Sequence, residues 1–131
     1  MHKNHYVDLI VAEAESRDGE HVAVIATDAA GTIVYWNTGA EKLYGWVSSE
    51  TIGRNVTDVI VTYSAVDDGT RIMEQLRRGQ SWSGSFIVRN RAGDPILAHV
   101  VDEPVSHDGE VVGIVGISQA ARRSDAERMN G

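Results

Sequence analysis

Trp82-Ser83-Gly84-Ser85-Phe86-Ile87-Val88-Arg89 sets Trp82, Gly84, Phe86 and Val88 in one phase and Ser83, Ser85, Ile87 and Arg89 in the other, and two more strand-like runs follow it closely. The turn Ala92-Gly93-Asp94 leads into Ile96–Val105, and His107-Asp108-Gly109 leads into Glu110–Ser118. A period of two sends successive side chains to opposite faces, which is the mark of a half-buried strand. Asp-Gly accepts the positive φ of a tight hairpin, so consecutive strands pair antiparallel. Pro104 cannot donate to a ladder and predicts a bulge or an exposed edge.

Upstream, Val22–Thr27 and Thr32–Trp36 are a second pair of β-rich runs, joined by Asp28-Ala29-Ala30-Gly31. Asp28 reads as a turn residue whose side chain caps its own backbone. Short helices fill the middle of the chain. Asn37 caps Thr38–Tyr44, which Gly45 stops; Ser48 and Asn55 cap the turns Ser49–Ile52 and Val56–Ile60. A longer helix starts at Asp67 or Asp68, buries Ile72, Met73 and Leu76, and ends at Arg77-Arg78-Gly79. Tyr6–Ser16 is an amphipathic helix with Tyr6, Val7, Ile10 and Ala14 on one face. Gln119–Met129 reads as an alanine-rich helix that needs a docking partner. Strand runs split around bunched helices specify an α+β fold with an antiparallel sheet. The domain reading is residues 1–20 as N-terminal helix and linker, 21–118 as the compact domain, and 119–131 as a linker helix towards an output domain.

The 131 residues carry a net charge of -7 and no cysteine. An acidic surface disfavours nucleic acid. Without cysteine there is no disulfide, thiolate catalysis or thiolate-held metal, which suits the cytoplasm. No apolar run reaches the ~18 residues of a membrane span, and no signal peptide is expected.

Several strings, in order, resemble the PAS family. They are Thr27-Asp28, Gly31-Thr32-Ile33, Trp36-Asn37, Ala40-Glu41-Lys42-Leu43-Tyr44-Gly45-Trp46, Glu50-Thr51-Ile52-Gly53-Arg54-Asn55, Trp82-Ser83-Gly84, Arg91-Ala92-Gly93, Pro104-Val105 and Asp108-Gly109-Glu110-Val111-Val112-Gly113-Ile114. The resemblance covers about Val22 to Ser118. It implies a five-stranded sheet in order 2-1-5-4-3 with helices over one face, a pocket beneath them, and a homodimer built from the opposite face and flanking helices. It also implies a sensory role, with relay to an output domain such as the histidine kinase of a two-component system. Where many members end the last strand with Asp-Ile-Thr, this chain has Ala120-Ala121-Arg122.

The residues narrow what such a pocket holds. Val56 follows Gly53-Arg54-Asn55, where light-sensing LOV members carry the adduct-forming cysteine, so no covalent flavin is expected. The positions matching the flavin-binding amides are Val88, Ala98 and Ser118. No histidine lies on the Asp67–Gly79 helix to hold haem, and His99 belongs on the opposite face from Ala98. No metal site is expected, because no two histidines share ligand spacing. Asp28, Glu41, Asp102 and Glu103 have no matched acid–base partner, so no catalytic residue is assigned. The expected pocket is Ile25, Thr27, Leu43, Val56, Ile72, Met73, Leu76, Phe86, Val88, Ala98, Val100 and Ser118, a filled core or a small site for an apolar ligand such as a fatty acid. The expected dimer surface is Tyr6, Val7, Ile10 and Ala14 with Ile87, Leu97 and Val101. The competing reading is a small cone-shaped α+β enzyme or carrier, which needs at least two titratable groups facing inward; the inward set above offers none.

Overall fold

A computed structural model describes residues 2–60 and 66–121, with residues 2–5, 66–70 and 86 described in backbone only. The elements are α1 (His2–Ser16), β1 (Ala23–Asp28), β2 (Ile33–Trp36), α2 (Thr38–Tyr44), α3 (Ser48–Thr51), α4 (Val56–Val59), α5 (Val66–Arg77), β3 (Trp82–Arg89), β4 (Pro95–His107) and β5 (Glu110–Ala120). The strands form one antiparallel sheet in the order β2-β1-β5-β4-β3, as the resemblance implies.

Local chemistry fixes the joints. Asp28 Oδ1 accepts the N–H groups of Ala30 (2.9 Å) and Thr32 (3.0 Å), folding the β1–β2 turn. Asp108 (φ 51°) and Gly109 (φ 81°) take the two positive-φ positions of the β4–β5 hairpin. Asn37 caps α2 through the Ala40 N–H, and Asn55 caps α4 through the Thr57 N–H. α3 starts one residue earlier than expected, because carboxylates rather than Ser48 satisfy its first donors. Glu41 accepts the Ser48 N–H (2.8 Å) and Glu50 the Val47 N–H (3.1 Å).

Two differences concern the long strands. β5 runs on to Ala120, pairing Gln119 with His99 and Ala120 with Ala98, and the Ala121 N–H bonds to the Leu97 carbonyl (2.8 Å). The expected helix therefore cannot begin at Gln119: β4 is 13 residues long and offers those backbone groups a ladder. The Arg122–Met129 part of that helix lies outside the described residues. β3 stops pairing with β4 at Trp82↔Asp102, which leaves Pro104 on an open stretch of β4 beside the register shift at Val105/Ser106.

α1 lies on its own sheet. Ile10 and Ala14 are fully buried, packed with Val24, Ala26, Val105, Val112 and Val115 on the outer face. The helix comes so close that a Cβ at Gly113 would stand 2.5 Å from Ile10 Cδ1. Arg17 pairs with Glu103 (2.5 Å), giving that acid a partner the sequence had not supplied. This corrects the expected dimer surface at Ile10 and Ala14, which are spent within the chain. A helix tethered by a few residues meets its own sheet at a far higher effective concentration than a second copy. Tyr6, Val7 and Leu97 are half-buried, whereas Ile87 and Val101 stay 44% and 39% exposed.

Candidate functional site

α2 to α5 cover the inner face of the sheet, and the inward residues fall into two apolar groups. One gathers Ile25, Trp36, Tyr44, Val59, Val88 and Ala98, with Leu43, Val56 and Val100 packed against it. The other joins Ile72 and Leu76 of α5 to Ile114 of β5, with Met73 and Trp82 beside them. Thr27 and Ser118 are buried too. The expected pocket residues other than Phe86 thus share one side of the sheet, and the Phe86 backbone pairs with Ala98 in the ladder. His99 is exposed on the other face, where Ser85 Oγ bonds its Nδ1 (2.8 Å).

Between the two groups runs the row Trp82↔Asp102↔Gly116↔Ile25. It puts a carboxyl group on the inner face. A Cβ at Gly116 would stand 2.8 Å from Asp102 Oδ1, so the carboxylate leans into the space this glycine leaves. Asp102 has no hydrogen bond or ion pair among the described residues. Burial pushes its carboxyl up to about 7 from the usual 3.8, because the charged form loses water and gains no partner. One row away, the buried Tyr44 hydroxyl bonds Ser118 Oγ (3.2 Å). Burial raises the Tyr44 pKa, the Ser118 bond lowers it, and the Asp102 charge adds a smaller upward push.

Asp102 and Tyr44 correct the expectation that no titratable group faces inward. The signal was present: Ile96, Ala98 and Val100 point to the helices, and two more residues along is Asp102. Sequence reasoning set it aside as an acid without a matched partner and did not follow the strand phase, which places it inward.

Two further features flank this region. A cleft of about 250 Å³ opens between α2 and the ends of β1 and β5, lined among others by His21, Lys42, Leu43, Ala120 and Ser118. Trp46 carries the guanidinium groups of Arg91 and Arg54 over its ring, 4.8 and 5.3 Å from the centroid. Its indole N–H is buried without an acceptor among the described residues. No group of three metal-ligating side chains, and no helix long and apolar enough to cross a membrane, occurs among the described residues.

Residues 11–120 match the family model described as PAS fold. Among solved structures, a PAS domain from Colwellia psychrerythraea aligns with a TM-score of 0.67 and 23% identity, over 87% of this chain and 98% of that one. A domain of a candidate light- and redox-sensing histidine kinase from Haloarcula marismortui aligns at 0.65 and 17% identity, over 85% and 98%. The LOV protein of Rhodobacter sphaeroides aligns at 0.72 and 15% identity, over 87% and 67%.

Proposed function

The chain belongs to the PAS family, and from that premise we propose that it is the sensory module of a cytoplasmic signalling protein. It holds a small ligand on the inner face of its sheet, pairs with a second copy of itself, and passes the signal to an output domain such as a histidine kinase. Binding rather than turnover fits the inner face. Tyr44 is a hydrogen-bonded hydroxyl with its pKa raised, and Asp102 has no second acid or base in contact to share a proton-transfer cycle. Haem and photoactive flavin are not expected, since α5 carries no histidine and Val56 stands where an adduct would need a thiol. An absorbance scan checks this: a Soret band or a light-driven, reversible bleaching of bound flavin overturns it.

The observation that carries the dimer is the unequal covering of the outer face. α1 clothes the β2–β1–β5 half, while the β3–β4 half leaves Ile87 and Val101 in solvent beside Leu97. A second copy placed there by two-fold symmetry buries the same residues on both sides, with Tyr6 and Val7 at the margin. Because both residues are substantially exposed, Ile87→Lys with Val101→Lys leaves the monomer fold intact. Light scattering should report a dimer for the parent chain and a monomer for the double variant. A dimer that survives both lysines rules out this face.

A further inference from the structure

We propose that the inner face is a site for an amine: a ligand with an apolar body and a protonated nitrogen that ion-pairs with the Asp102 carboxylate beside the Tyr44–Ser118 hydroxyl pair. The proposal rests on reading the inner face as the ligand site, and it replaces the apolar or fatty-acid ligand expected from sequence with a definite chemistry.

Three observations converge. First, among the described residues the apolar layer is broken by a charged side chain along one row only, with Val100 and Tyr44 in the cluster on one side and Ile114 and Leu76 on the other. An apolar ligand body reaching this row would have aromatic and branched neighbours on both sides of Asp102. Second, that carboxylate has no hydrogen-bond or ion-pair partner among the described residues. Trp82 of β3, Gly116 of β5, Tyr44 of α2, and Ile72 and Leu76 of α5 bring no positive charge. Buried carboxylates are ordinarily paired, and an unpaired one is the usual mark of a site. Third, Ser118 belongs to both the Tyr44 hydrogen bond and the wall of the 250 Å³ cleft, so the wall of that cleft stands one row from Asp102. Ser118 Oγ accepts from Tyr44 and keeps its own proton to donate. The polar end therefore offers a charged acceptor at Asp102 and a hydroxyl at Ser118. An acidic head group would meet the carboxylate as a like charge.

Three probes with one body and different heads separate the readings by calorimetry: 2-phenylethylamine, 2-phenylethanol and 3-phenylpropionate. At about pH 8 the amine should bind the intact chain at least about tenfold more tightly than the alcohol, as a charge-assisted bond in place of a neutral one allows, with the acid weakest. At about pH 5.5 the Asp102 carboxyl is protonated and this preference should shrink to about threefold or less. Asp102→Asn, checked for folding by circular dichroism, should bind amine and alcohol alike at both pH values. Gly116→Ala, which crowds the carboxylate, should lower amine affinity while leaving that of the alcohol. Equal binding of amine and alcohol to the parent chain at pH 8, or an amine preference that survives Asp102→Asn, overturns the amine assignment alone. If none of the three probes binds, the ligand-site reading falls with it.

Discussion

Asn37→Ala lowers the unfolding free energy by about 2–4 kcal/mol, the sum of a lost helix cap and a buried donor left unpaired. Asn37 is buried, and its side-chain amide makes four hydrogen bonds. Oδ1 accepts the N–H groups of Ala40 and Val24, both at 2.8 Å, while Nδ2 donates to Asp18 Oδ1 (2.6 Å) and the Val22 carbonyl (3.0 Å). That exhausts the two donors and two lone pairs of an amide. One side chain thereby ties the start of α2, the start of β1 and the α1–β1 connection into one joint. Alanine leaves the Val24 and Ala40 N–H groups without their acceptor at a place water does not reach. Asp18→Ala removes a single exposed partner and should cost well under half as much. Urea denaturation of both variants and of the double variant checks this. A loss below about 1 kcal/mol for Asn37→Ala would mean that water or a shifted neighbour takes over its bonds. Exact additivity with Asp18→Ala would mean that the two side chains do not act together.

The cap at Asn37 was legible in the sequence, but the joint was not. Asparagine before Thr38-Gly39-Ala40 announces the start of a helix; nothing in that string says that the same amide also closes β1. Gly39 shows the same gap. A Cβ there would run into the Val22 carbonyl, so the glycine is what lets α2 approach the sheet, and nothing local announces that. Strands and turns were readable because their signals are local: alternation at Trp82–Arg89, Asp-Gly at the β4–β5 hairpin, side-chain capping at Asp28. What depended on distant backbone was misjudged. β5 extends past Ser118 because β4 supplies partners, and α1 docks within the chain because Gly113 makes room for Ile10. Which strand side chains face the helices, such as Val88, Ala98 and Val100, was legible by periodicity. Asp102 was passed over because residue type was allowed to outweigh phase.

Asp102→Asn raises stability at about pH 8 by about 2–4 kcal/mol, the reverse of what most substitutions inside a domain do. The native carboxyl keeps its proton up to about pH 7, while in the unfolded chain it loses it near the ordinary 3.8. Between those values the native state binds more protons than the unfolded one, so this group's contribution to stability falls as pH rises through that window. Above about pH 7 both states are ionised, and the cost of a half-buried, unpaired charge is present. A shift of about three units corresponds to about 4 kcal/mol, reduced here because the carboxyl keeps some contact with solvent. Asparagine has nearly the same shape and no charge to desolvate. The variant should match the parent chain near pH 4 and pull ahead as pH approaches 8. The comparison must be variant against parent at each pH, since other carboxylates, such as Glu103 beside Arg17 and Glu50 beside Arg91, titrate in both proteins and cancel. Thermal or urea unfolding across that range gives the difference curve. If Asp102→Asn is instead the less stable protein at pH 8, the carboxylate is paired in the folded chain. If the curve is flat, the group titrates at its ordinary value and is solvated. The expected outcome has a consequence for function. A domain that carries such a charge at a cost in stability is relieved of it when a cation arrives, so the same group that weakens the empty fold at pH 8 would tighten it around an amine.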